Sequence, residues 1–163
     1  MKKSNEGFTL IELIIVIAIL AITLTLTSDI LISLVRSNNK TVVKDELEQQ
    51  ANFVALKLEK ELRNARDAEI NSGNLSFTLE GGQDATYSLD GEVLQKDSVP
   101  ITSNHPLGGV VVSCPSGACF GVEPGPPQLV TIDLLFTPKS GGGLGSFSGE
   151  IKVNTTIVLR NTY

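Results

Sequence analysis

The chain has 163 residues, a formal charge of −5, two cysteines, one histidine, no tryptophan and 5% aromatics. Such a balance argues against a basic nucleic-acid footprint and supplies few rings for stacking bases or sugars. Most of the apolar character sits in the first thirty-odd residues, which leaves roughly 130 for one domain with its own core.

Residues 1–7 are short and polar, with Lys2 and Lys3. From Phe8 to Thr27 the chain is apolar apart from scattered Thr and one charge, Glu12. About 20 helical residues span about 30 Å, the hydrocarbon thickness of a bilayer. Lys2 and Lys3 precede this run and the next basic residue is Arg36, so the positive-inside rule places the N-terminus in the cytoplasm and the rest outside. A cleavable secretory signal is one alternative, but the run is longer than its usual apolar region and no Ala-x-Ala-like site follows. A plain anchor is another. Neither explains Glu12, because an ionisable group in an apolar span costs about 2.5–3.5 kcal/mol and marks function by default. Snorkelling toward the cytoplasmic surface would lessen that cost without giving a reason for the carboxylate.

The string Gly7-Phe8-Thr9-Leu10-Ile11-Glu12-Leu13, with its basic leader and apolar run to about Val35, resembles the class III signal of type IV prepilins and pseudopilins. The resemblance implies cleavage by a prepilin peptidase between Gly7 and Phe8, with the apolar span retained. It also implies N-methylation of Phe8 and pairing of Glu12 with the Phe8 amine of a neighbouring subunit, for assembly and register. Phe8 and Glu12 are four residues apart and share a helix face, so pairing within one chain stays open. Gly7 suits the cleavage site because it lets the backbone lie extended in a protease cleft. Shaft-forming pilins often carry Pro where this chain has Asp29, which turns the resemblance toward minor pilins and pseudopilins.

No Pro or Gly occurs between Phe8 and Ile70, which predicts a helix continuing past the membrane, on the order of 90–95 Å in all. Leu47, Ala51, Val54, Leu58, Leu62 and Ala65 recur at helical spacing and form a stripe to pack on a sheet. Lys44, Glu48, Lys57, Lys60, Glu61 and Arg63 read as solvated, with Lys57–Glu61 a surface i,i+4 pair. Asn71-Ser72-Gly73 is the expected helix stop. Leu58–Ala65 also resembles the outer helix of PilW-like minor pilins and J-type pseudopilins.

Beyond Gly73 the period becomes two. Leu75, Phe77 and Leu79 alternate with polar residues, and Asp90-Gly91 reads as a type I′ hairpin. Val110–Val112 is a short apolar run. Val130, Ile132, Leu134 and Phe136 alternate against Thr131 and Asp133, and Ile151 to Leu159 alternate likewise. The expected fold is therefore α+β, a long N-terminal helix on a C-terminal antiparallel sheet. The expected domains are a leader at 1–7, a transmembrane and filament-core helix at 8–36, and a periplasmic or extracellular head at 37–163. Within the head, 37–70 is the amphipathic helix and 74–163 the β region.

Cys114 and Cys119 flank Pro-Ser-Gly-Ala. Outside the cytoplasm a disulfide is favoured; free thiols are the alternative. A metal would need two further ligands, whereas the chain has only His105, and no metal or cofactor is expected. Ser140–Ser146 is Gly-rich but lacks the Gly-Lys-Ser/Thr ending of a phosphate loop and reads as a connection between the last two strands. Glu123–Pro127 reads as a stiff connector.

The function expected is a structural subunit of a type IV pilus or related filament, a minor pilin before a pseudopilin of type II secretion or competence, and not an enzyme. A tethered binding module or an adhesive tip is more remote. Expected partners are other pilin subunits, the prepilin peptidase, the inner-membrane assembly machinery and, before assembly, lipid, with no nucleic acid. The expected localisation is the cytoplasmic membrane, single-pass, then a periplasmic or cell-surface filament.

Overall fold

A computed structural model describes residues 9–103, 109–139 and 149–160. Within them one helix precedes nine strands in two antiparallel sheets, an α+β fold that fits pilin-like architecture. The helix, α1, runs Leu10–Arg63. Two compact units divide the chain, Met1–Lys40 and Thr41–Tyr163.

In the first unit every described residue is exposed. The richest 18-residue window of α1 has a mean hydropathy of 2.7 and is 0% buried. By length and composition it can cross a membrane. Its hydroxyls from Thr23 to Ser28 are satisfied within the helix. The hydroxyls of Thr23, Thr25, Thr27 and Ser28 donate to carbonyls three or four residues back, at 2.9, 2.8, 2.7 and 2.8 Å. Such back-bonding lets hydroxyls sit in hydrocarbon without a lost hydrogen bond.

In the second unit Leu47, Ala51, Val54, Leu58 and Leu62 are all buried. Each larger side chain in that stripe contributes about 1.5–3 kcal/mol by leaving water. They meet Leu75, Phe77, Tyr87 and Leu94 of one sheet and Val130, Ile132, Leu134 and Phe136 of the other in a single core.

The first sheet is a meander of β1 (Ala65–Asn71), β2 (Asn74–Leu79), β3 (Asp84–Asp90), β4 (Val93–Lys96) and β5 (Val99–Pro100), in that order. The second comprises β6 (Val110–Ser113), β7 (Phe120–Glu123), β8 (Leu129–Pro138) and β9 (Ile151–Val158). β8 is its centre. β9 pairs with one edge from Leu129 to Phe136. On the other edge β7 covers Leu129–Ile132 and β6 covers Leu135–Pro138, one after the other.

Three expectations need correction. The helix ends at Arg63 rather than residue 70, and residues 65–71 form β1. Asn64 stops it: its backbone N–H reaches the Glu61 carbonyl at 3.2 Å and its side chain caps the Lys60 carbonyl at 3.2 Å. Ala65 is fully buried, but from a strand. Asn71-Ser72-Gly73 is consequently a hairpin rather than a helix stop. Asn71 pairs with Asn74, and Ser72 and Gly73 have φ of 53° and 84°, the signature of a type I′ turn. The Asp90-Gly91 hairpin exists one residue out of the expected register. Asp90 pairs with Val93, so Gly91 and Glu92 are its central residues, and only Gly91 has positive φ (62°). That is the pattern of a type II′ turn.

The two sheets are joined at a defect. β1 is bulged between Arg66 and Glu69. There the Gln128 carboxamide serves Ala68, its oxygen accepting from the backbone N–H at 3.0 Å and its nitrogen donating to the carbonyl at 2.9 Å. A side chain thus supplies the pair of bonds that a strand would have made.

Candidate functional site

The N-terminal motif is organised by the first turn of α1. A helix start leaves four backbone N–H groups without partners. Thr9 and Glu12 close two of them reciprocally. Glu12 Oε2 accepts from the Thr9 N–H at 3.0 Å and from its hydroxyl at 2.8 Å, while the Glu12 N–H lies 3.4 Å from Thr9 Oγ1. This is a capping box, and the sequence carries its signature, Thr-x-x-Glu at residues 9–12. The carboxylate also sits at the positive end of the helix dipole. Glu12 therefore has a partner in the isolated chain, distinct from both expected pairings with an amine. Gly7 and Phe8, the expected cleavage and methylation positions, lie outside the described residues.

In the head, two polar nodes hold the elements that surround α1. Glu61, read from sequence as solvated, is a correction: its side chain is 18% exposed. It accepts from the Tyr87 hydroxyl and from Lys96 Nζ, both at 2.8 Å, with Lys57 Nζ at 3.9 Å. The node docks α1 onto β3 and β4. Burial pushes the Tyr87 phenol well above its ordinary range, and the Glu61 carboxylate adds to the push, followed by Asp97.

The second node is Asp133, at the gap between β6 and β7 on the edge of β8. Its backbone N–H donates to the Cys119 carbonyl at 2.9 Å. Its carboxylate receives the Ser116 hydroxyl at 2.9 Å, Asn154 Nδ2 at 3.3 Å and Lys152 Nζ at 3.2 Å. The Ser116 bond is the main reason the Asp133 carboxyl lies below the usual carboxylate value; Asn154 and Lys152 act with it, and burial acts against it. Cys114 and Cys119 are paired in the structure, their Cα atoms 4.7 Å apart. Gly117, with φ of 83°, makes the turn between them, which favours glycine. The closed loop delivers Ser116 to Asp133. Period-two alternation placed Asp133 on the polar face of β8, but nothing local in sequence marks Ser116 as its partner.

Among the described residues no three His, Cys, Asp or Glu gather as metal ligands. His105 and the Gly-rich stretch at 140–146 lie outside the described residues. The geometry on view supports anchoring and packing: an apolar helix with a capped acidic start in the first unit, and a cross-braced fold in the second.

An apolar helix of membrane-crossing length near the N-terminus, followed by an α+β head, fits a single-pass membrane protein. Residues 2–28 match the family model described as prokaryotic N-terminal methylation motif, so the chain carries a type IV prepilin-like signal. No curated protein and no solved structure matches the chain. The motif points to a structural subunit of the pilin-like or pseudopilin kind rather than to an enzyme.

Proposed function

We propose that this protein is a minor pilin, a structural subunit cut by a prepilin peptidase between Gly7 and Phe8, N-methylated on Phe8 and assembled through its N-terminal helix. The observation that carries the reading is the methylation motif at residues 2–28 leading into a helical unit exposed at every described residue. So much apolar surface requires either lipid or other helices. A filament offers the second after the bilayer has offered the first. The domains follow: leader 1–7, membrane and filament-core helix 8–36, and a head from 37 outside the cytoplasm, where the Cys114–Cys119 bond suits an oxidising compartment.

Glu12 acts at the moment of transfer. Its capping-box bonds to Thr9 keep the carboxylate partnered in the lone subunit. In the filament the positive Phe8 amine of a neighbour takes over as its partner, and the exchange supplies register. Mass spectrometry of the membrane-extracted protein should give a chain starting at methylated Phe8. Glu12→Val should leave that cleavage intact and reduce recovery in sheared filaments about tenfold or more; undiminished recovery would remove the role of Glu12.

A pseudopilin of a type II secretion or competence system is the second reading. Asp29 favours it alongside the minor pilin, since it stands where shaft-forming pilins often carry Pro. Deletion followed by separate assays of surface pili, protein secretion and DNA uptake separates the systems.

A further inference from the structure

Most strand edges in the second unit are short or engaged. β5 has two residues, and β6 and β7 have four each. β1 is bulged and gives its Ala68 groups to Gln128. β9 differs. It pairs with β8 over all eight of its residues without a register shift, and no described strand pairs with its other edge. The Leu159 N–H donates to the Gln128 carbonyl at 3.0 Å, in the register that sets Val158 opposite Leu129. Hydrogen-bonded pairs alternate along an antiparallel ladder. Ile151, Val153, Thr155 and Ile157 therefore bond to β8, while the main-chain groups of Lys152, Asn154, Thr156 and Val158 point away from it. All four of these residues are exposed. Proteins usually guard a long edge with Pro, a bulge or a charge. β9 has no Pro, no Gly and no bulge, and its single Lys, Lys152, is held by Asp133 at 3.2 Å. Beside the edge, the end of α1 and the second half of β9 line an open groove that includes Glu59, Arg63, Asn64, Thr156, Val158 and Arg160. Glu59 pairs with Arg63 at 2.6 Å. Arg160 has no ion-pair partner among the described residues, so the groove holds two guanidiniums against one carboxylate.

We propose that β9 accepts one strand of another protein, an extended segment whose carboxylate side chain meets Arg160. Main-chain hydrogen bonds to an open edge supply affinity in such additions, and side-chain sites supply choice. A guanidinium reads a carboxylate through paired N–H donors. The basic groove lies at one end of β9 only, so the charge fixes how the incoming strand is placed along the edge. A small anion would satisfy the arginines but leave the N–H and C=O of Lys152, Asn154, Thr156 and Val158 without protein partners. β9 of a second copy is the other candidate. Antiparallel strands joined edge to edge are related by a two-fold axis normal to the sheet, and that axis reverses a helix packed flat on the sheet. Two chains inserted into one membrane from the same side do not allow such a reversal. The choice of a foreign strand thus rests on the membrane reading above, while the openness of the edge does not.

The test uses the purified full chain in detergent micelles. The probe is a synthetic peptide of alternating Thr and Val with one Glu near its end, N-methylated on alternate residues so that one edge alone can pair. It should bind saturably and slow deuterium uptake at the amides of Lys152, Asn154, Thr156 and Val158. The same peptide methylated on every nitrogen should not bind. Thr156→Pro removes an outward N–H and leaves the bonds to β8 in place. It should weaken binding about tenfold or more at an unchanged unfolding midpoint. Arg160→Glu should reverse the preference between the Glu peptide and its Lys counterpart. Absence of binding, equal binding of the fully methylated peptide, or protection away from these four amides would overturn the proposal. Should Thr156→Pro lower the midpoint, the fully methylated peptide and Arg160→Glu decide in its place, and indifference to both refutes the site. Dimers of the full chain that Thr156→Pro disperses would hand the edge to a second copy and refute the foreign strand. Peptide binding is measured without assembly, so its failure is distinct from a failure of the filament reading, which sheared-filament recovery scores separately.

Discussion

α1 supplies both units, and they use it in opposite ways. From Leu10 to Lys40 every described residue is exposed, and as far as Val35 apolar side chains lie all round the helix. From Thr41 to Arg63 only one stripe is buried, Leu47, Ala51, Val54, Leu58 and Leu62, and its partners are the chain's own two sheets. A helix that is apolar on one side finds its cover within the fold, whereas one that is apolar on every side must find it elsewhere. Hydrophobicity in the first unit is thus a statement about surroundings, and in the second a statement about stability.

The sharpest way to break this comparison is to truncate the same residue type in each region. Leu58→Ala should cost the head about 2–5 kcal/mol in denaturant unfolding, since it empties a fully buried site. Leu20→Ala should leave the head's unfolding midpoint unchanged, and an equal loss in both would dissolve the contrast. Next in size, replacing both Cys114 and Cys119 with Ser should lower stability by about 2–3 kcal/mol or less, the range for a small ring, with the change reported first by nuclei around Ser116 and Asp133. Glu61→Gln should follow at about 1–2 kcal/mol, because Tyr87 and Lys96 lose a charged acceptor in a half-buried setting. A matching change at Glu48, whose pair with Lys44 is 3.4 Å long and largely exposed, should cost under about 0.5 kcal/mol.

The smallest expected effect concerns acid. The folded state holds the Asp133 carboxyl below its ordinary unfolded value, chiefly through the Ser116 hydrogen bond. Its contribution is therefore present above that value and fades as the pH falls through the lower, folded one. Asp133→Asn should flatten the dependence of the unfolding midpoint on pH below about 4. An unchanged slope would mean that the Ser116 bond contributes nothing net.

The helical stripe was legible because burial demands a period, and Leu47 to Leu62 keep it without a break. The methylation motif was legible for a different reason: a Gly-Phe junction, a basic leader and a carboxylate inside a greasy run coincide rarely. The end of the helix was not legible. Ala65-Arg66-Asp67-Ala68-Glu69 contains good helix formers by intrinsic preference, and its strand state depends on β2 and on Gln128, sixty residues away. Tertiary pairing overrode local preference there. The misplaced register at Asp90-Gly91 has the same origin, since a Gly licenses a turn without saying which strand residues face each other. Glu61 was misread because i,i+4 spacing to Lys57 offered a local explanation, while its stronger partners came from β3 and β4. The Thr9–Glu12 capping box was visible in the string itself and was masked by the louder meaning of a charge in an apolar run.

β8 is flanked by β9 from Leu129 to Phe136 on one side and by β7, the Cys119 carbonyl and β6 in turn on the other. Its amide protons can reach solvent only when neighbours on an edge depart, and the two short neighbours can depart one at a time. In deuterium oxide β6 and β7 should take up label independently while the middle of β8, around Ile132 and Leu134, stays protected the longest.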